Sequence, residues 1–145
     1  MKSLNLKTLK KMLLHINHIE YCEARHIASA IIVPQTSMAI MREVAPWRDI
    51  PIAGLAELET SQDLEEGART FSASLSATLC GDAFELPQRP LAFRLTCANG
   101  RQYLLGTAES PHPFVSFPIS LPSEASDVTA TTLNIESATP IYIIK

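Results

Sequence analysis

Glycine is scarce in this chain, with five residues in 145. No GxGxxG or P-loop spacing occurs, so the backbone cradle that nucleotide-binding proteins wrap around phosphate is missing. Cysteine is scarcer. Cys22, Cys80 and Cys97 are odd in number and unrelated in spacing, which excludes a disulfide framework and points to a reducing compartment. Positive charge is also short: 12 Lys and Arg stand against 15 Asp and Glu, a net charge of −3. Without a basic excess to neutralise phosphates, nucleic acid is not expected as the main ligand. Long apolar runs are absent too. Ile27 to Val33 is far too short to cross a bilayer, and Lys2, Lys7, Lys10 and Lys11 interrupt the leucines near the start where a secretory signal would need an apolar core. A cytoplasmic protein without membrane partners is the resulting expectation.

What the chain has is strand pattern. Phe71-Ser72-Ala73-Ser74-Leu75-Ser76-Ala77-Thr78-Leu79-Cys80 alternates apolar and small polar side chains, the period of a half-buried strand. Asn99-Gly100 lies between the apolar-rich runs Phe93 to Ala98 and Arg101 to Leu105, the strongest local signal for a hairpin. A two-residue turn there sets Ala98 opposite Arg101, Thr96 opposite Tyr103 and Leu95 opposite Leu104. Ile52, Gly54, Ala56 and Leu58 share one face of a further strand, with Glu57 and Glu59 on the other, and Thr60 to Arg69 forms the polar tip of a long hairpin with the Phe71 strand. Asp82 to Pro90 reads as a loop. Four prolines in Ser110 to Pro122 confine that stretch to an edge or connecting role. Ala28 to Val33, Met38 to Val44, Val128 to Glu136 and Ile141 to Ile144 read as shorter strands.

The expected fold is mainly β: one domain over residues 1–145, with antiparallel strands in a sandwich or barrel and at most one or two short helices. Residues 50–145 supply the β core. Residues 1–45 are less determined, because Leu6, Leu9, Leu13 and Ile16 sit at helical spacing while Met12, Leu14 and Ile16 sit at strand spacing, so Lys7 to Asn17 fits either state. The expected core residues are Phe71, Ala73, Leu75, Ala77, Leu79, Leu91, Phe93, Leu95 and Leu104. Charged residues make up 19% of the chain and hydrophobic residues 46%, a surface lean enough in charge to reserve part of itself for a partner.

Candidate chemistry is sparse. His15, His18, Cys22 and His26 fall on one face of a helix at spacings of three, four and four, and imidazole with thiolate is a zinc set. In a strand, neighbours four residues apart are separated by roughly 13 Å and share no metal. No CxxC or HExxH accompanies them, so the expectation is no metal, with these four as the candidates if the segment is helical. No GxSxG elbow surrounds any serine, and Cys80 and Cys97 sit in strands where a thiol is a small core hydrophobe. No catalytic residue and no cofactor are expected. The acidic Glu57, Glu59, Asp63, Glu65 and Glu66 lack calcium-loop spacing and read as a solvated tip. Trp47, between Pro46 and Arg48, reads as a core or interface plug.

The stretch Leu91-Ala92-Phe93-Arg94-Leu95-Thr96-Cys97-Ala98-Asn99-Gly100-Arg101-Gln102-Tyr103-Leu104-Leu105-Gly106-Thr107, followed by Pro111-His112-Pro113-Phe114, resembles small β-rich proteins of prophage tail regions in gut Bacteroidetes. In those proteins a strand, an Asn-Gly or Asp-Gly turn, a Tyr-Leu-Ile-Gly-like strand and a proline-rich step recur. The resemblance implies a non-enzymatic structural role in a phage particle, with the protein itself or other virion proteins as partners and no catalytic residues to transfer. Two other classes stand beside it: a cytoplasmic β-sandwich that binds a protein or peptide, and a small enzyme or metal-binding domain.

Overall fold

The computed structural model describes residues 8–65, 68–80, 86–116 and 131–145. Within them the chain forms strands β1 (Thr8–Glu23), β2 (Ile31–Val33), β3 (Met38–Ile40), β4 (Arg48–Ile50), β5 (Ala56–Glu65), β6 (Ala68–Leu79), β7 (Leu91–Cys97), β8 (Gln102–Leu105), β9 (Phe114–Ser116), β10 (Thr131–Ser137) and β11 (Tyr142–Ile144). Two 3₁₀ turns, Ala24–Ile27 and Pro34–Thr36, are the described helical elements. The fold is mainly β, as the strand periodicities require.

All eleven strands belong to one sheet, in the order β2-β3-β11-β8-β7-β1-β5-β6-β10-β9, with β4 also paired to β1. The sheet is mixed and, among the described residues, does not close into a barrel: β3 and β11 run parallel, and the other pairs run antiparallel. The region 7–17 contains no helix among its described residues. It opens β1, the strand on which the sheet is organised. Thr8 to Ile16 pairs with β5 along one edge, Ile19 to Tyr21 pairs with β4 along the same edge, and Ile16 to Glu23 pairs with β7 along the other. The register with β7 slips between Ile16 and His18. This bulge lets Leu14 and Ile16 before it, and Ile19 and Tyr21 after it, all pack toward one cluster.

The β5–β6 hairpin forms as expected but is longer than its pattern implied. Thr60 to Glu65 pairs onward with Ala73 to Ala68, so most of the expected loop is ladder, and residues 66–67 lie outside the described residues. The strand expected from Ile50 is interrupted at Pro51 to Leu55. There Ile52 bridges Leu79 and Gly54 takes φ +73 before β5 starts. Of the Asp82 to Pro90 loop, residues 86–90 are described and carry no strand. Phe114–Ser116 makes the proline-rich stretch an edge strand, as its composition demanded, while residues 117–130 lie outside the described residues.

The β7–β8 turn corrects the expected register by one residue. Leu95 faces Tyr103 and Thr96 faces Gln102, because the connection holds three residues, Ala98, Asn99 and Gly100. Gly100 N–H donates to the Cys97 carbonyl and Cys97 N–H to the Arg101 carbonyl, and Gly100 at φ +90 supplies the left-handed step that a three-residue turn needs. Leu104 therefore leaves the face on which it was expected.

Two apolar clusters result, one on each side of the sheet. The larger unites Ile16, Ile19, Ile50, Leu58, Leu75, Phe93, Leu95, Leu105, Leu133 and Ile135 on the inner face, with the expected Ala73, Ala77, Leu79 and Leu91 buried among them and Phe71 half-buried at the margin. Burying a Leu or Phe side chain stabilises by about 1.5–3 kcal/mol. The smaller cluster, on the outer face, gathers Cys22, Ile27, Ala39, Ala45, Ala92, Leu104 and Tyr142, with Trp47 and Ile144 packed against it. Strands β7 and β8 are thus apolar on both faces, whereas Ser72, Ser74, Ser76 and Thr78 of β6 stay exposed.

Candidate functional site

The side chains of chemical interest sit on the outer face where β1, β4 and β7 run side by side. Beyond the bulge, His18, Glu20 and Cys22 point outward, and β4 brings Asp49 across from Glu20 while β7 brings Arg94. Glu20 is buried, and its charge is answered in full. Arg94 Nε donates to Oε1 and Nη2 to Oε2, both at 2.7 Å, the bidentate fork that suits guanidinium to carboxylate. The Arg94 guanidinium also stacks 5.0 Å from the Trp47 ring centre. His18 lies between two carboxylates. Its Nε2 donates to Asp49 Oδ1 at 2.8 Å, and its Nδ1 is 3.8 Å from Glu20 Oε1.

His18, Glu20 and Asp49 each present a possible ligand atom within 4.8 Å of the others. The donor set is that of a divalent cation, yet the surroundings oppose one. Both Glu20 oxygens already accept from a guanidinium, so a metal placed there meets Arg94's charge at contact range. The arrangement is an ionic knot that pins the β4 strand and Trp47 onto the sheet.

The four residues considered for zinc do not converge. His15 is exposed opposite Glu57, His18 belongs to the knot, Cys22 is buried in the outer cluster, and His26 stands in the 3₁₀ turn after β1 with Nε2 3.8 Å from Glu23 Oε2. Their helical spacing has no helix to act on. Burial pushes the Cys22 thiol up to about 11, with the Arg94 guanidinium pulling the other way, so it is protonated at neutral pH and poor as ligand or nucleophile. Burial also raises the Cys97 thiol, and all three cysteines are free. At the end of β1, hydrogen bonds from Arg25 and Arg89 hold the Glu23 carboxyl below the usual carboxylate range.

Glu20, Asp49 and Arg94 carried no motif. The signal that exposes two of them is a charge set inside an apolar strand, Ile19-Glu20-Tyr21 and Phe93-Arg94-Leu95, where opposite charges on neighbouring strands are required to meet.

The ends of the sheet form a second feature. Among the described residues nothing pairs with the outer edge of β2 or of β9. In the β2–β3 hairpin, Ile31 and Ile40 lie directly opposite each other, 43% and 40% exposed. At the other end Phe114 of β9 is 67% exposed. No family model, curated protein or solved structure matches the chain. No described helix is long and apolar enough to cross a membrane.

Proposed function

We propose that the protein is a non-enzymatic structural component that acts by self-association, copies joining end to end through the open edges of the sheet. The particle would be of the phage or prophage tail kind that the Leu91 to Phe114 stretch resembles. One observation carries this reading: among the described residues both ends of the sheet present large apolar side chains to solvent, Ile31 of β2 beside Ile40 of β3 at one end and Phe114 of β9 at the other.

Proteins that remain monomeric guard such edges with charge. Here no charged residue stands between His26 and Arg42, the span that holds the β2–β3 hairpin. A contact joining β2 of one copy to β9 of the next is heterologous, and heterologous contacts generate rings or open filaments rather than closed pairs. The absence of metal and cofactor belongs to the same proposal, as do partners that are further copies or other virion proteins and not nucleic acid.

Sedimentation velocity and negative-stain microscopy over rising concentration test it. Growth of rings or filaments, abolished by Ile31→Lys and by Phe114→Lys in chains that keep a native β circular-dichroism spectrum, supports the proposal. A strictly monomeric protein at high concentration overturns it, and so does a two-fold dimer that grows no further. Capture of a foreign extended peptide on β2 by such a monomer would favour the binding-module reading.

A further inference from the structure

We propose that the mouth of the inner face is a binding site for an amphipathic monoanion, a medium-chain alkyl carboxylate. Its hydrocarbon would lie among Met12, Phe71, Tyr103, Ile141 and Ile143, and its carboxylate would pair with Arg101. This inference is independent of the edge-to-edge assembly. It stands on a cavity of about 550 Å³, within the range of small-molecule sites, whose wall is built by β1, β5 and β6 on one side and by β8 and β11 on the other. In the strand order β7 separates β8 and β11 from β1, β5 and β6, and residues of both groups line the one cavity. It opens where β1 outruns the β7–β8 hairpin, since Thr8 to Ile16 pairs with β5 while the pairing to β7 begins only at Ile16.

The lining selects the ligand. Its greasy part comes from both walls, and Met12, at 44% exposed, offers a flexible thioether that adapts to an alkyl chain. Polar groups at the rim are partly spoken for: the Ser61 and Ser72 hydroxyls bond each other at 2.6 Å. Among the described residues Arg101 is the single charged side chain lining the cavity, and among them it has no ion pair. Its backbone is fixed by the turn, with its N–H donating to Asn99 Oδ1 at 2.9 Å and its carbonyl accepting from Cys97 N–H at 2.8 Å. One guanidinium on a fixed backbone beside an apolar cleft complements one anionic head on one apolar tail.

Calorimetric titration of the full chain with laurate, kept below its micellar range, against neutral dodecyl maltoside tests this. Saturable 1:1 laurate binding, weakened about tenfold in Arg101→Gln while the maltoside response does not change, supports the site; such a factor corresponds to losing one charge-assisted pair. Met12→Glu, which sets a carboxylate at the mouth, should also weaken laurate, and it carries the test if Arg101→Gln fails to fold. Absence of saturable laurate binding overturns the proposal. Laurate affinity equal in wild type and the folded variants overturns it too. None of these outcomes depends on ring or filament formation, so failure here leaves the assembly reading standing.

Discussion

Arg94 grips Glu20 through two parallel hydrogen bonds of 2.7 Å from strands that are neighbours in the sheet and 74 residues apart in the chain. Glu20 is buried, so removing only the guanidinium leaves its carboxylate without the two hydrogen bonds that answer its charge. Arg94→Met should cost about 3 kcal/mol in urea unfolding, and Glu20→Gln with Arg94→Met should cost clearly less than the sum of the single changes. Additive losses would mean that the pair is not coupled.

The inner core gives a sharper contrast. Leu75 and Phe93 are fully buried while Ser74, between core positions on β6, is exposed. Leu75→Ala and Phe93→Ala should each cost about 2–5 kcal/mol, and Ser74→Ala should stay within about 0.5 kcal/mol of wild type. Small and equal losses at all three would place the core on the wrong face of β6.

Alkaline pH should weaken the fold through Cys22. Its thiol, near 9.0 when unfolded, is raised to about 11 in the native state, chiefly by burial. The native state therefore holds the proton longer than the unfolded chain. The stabilisation is whole below pH 9 and is lost as pH rises through about 9 to 11, by roughly 2 kcal/mol. Cys97 and Tyr142, also raised by burial, act in the same direction. Urea melts at pH 8 and pH 10.5 should show a smaller loss in Cys22→Ala than in wild type.

Two glycines with left-handed backbone should respond differently to alanine. Gly100 (φ +90) has open space where a Cβ would go, so Gly100→Ala should cost only the conformational strain, about 1 kcal/mol. At Gly106 (φ +91) a Cβ would come within 2.7 Å of Pro113 Cγ and 3.2 Å of the Leu91 carbonyl oxygen. Gly106→Ala should therefore lower the melting temperature well beyond Gly100→Ala.

The parts of the fold that could be read from sequence are those whose pattern survives the three-dimensional arrangement. β6 keeps strict alternation from Phe71 to Leu79 and is legible over that span, while its first residues, Ala68 and Arg69, fall in the stretch whose polarity reads as hairpin tip. β1 was not, because its bulge shifts the phase between Ile16 and Ile19, two inner-face residues that end up three apart, the spacing of a helix. Asn99-Gly100 announced a hairpin, but the dipeptide does not distinguish a two-residue from a three-residue connection, and the extra residue moved Leu104 to the other face. The ionic knot was invisible for a different reason. His18, Glu20, Asp49 and Arg94 meet only through strand pairing between distant segments, and such pairing leaves no local spacing to detect.

The place of β11 bears on the order in which the molecule is made. β3 reaches the rest of the sheet through Tyr142–Ile144, which lies between β3 and β8. During synthesis the β2–β3 hairpin emerges about a hundred residues ahead of the strand that joins it to β8, so that ladder forms only once β11 has left the ribosome.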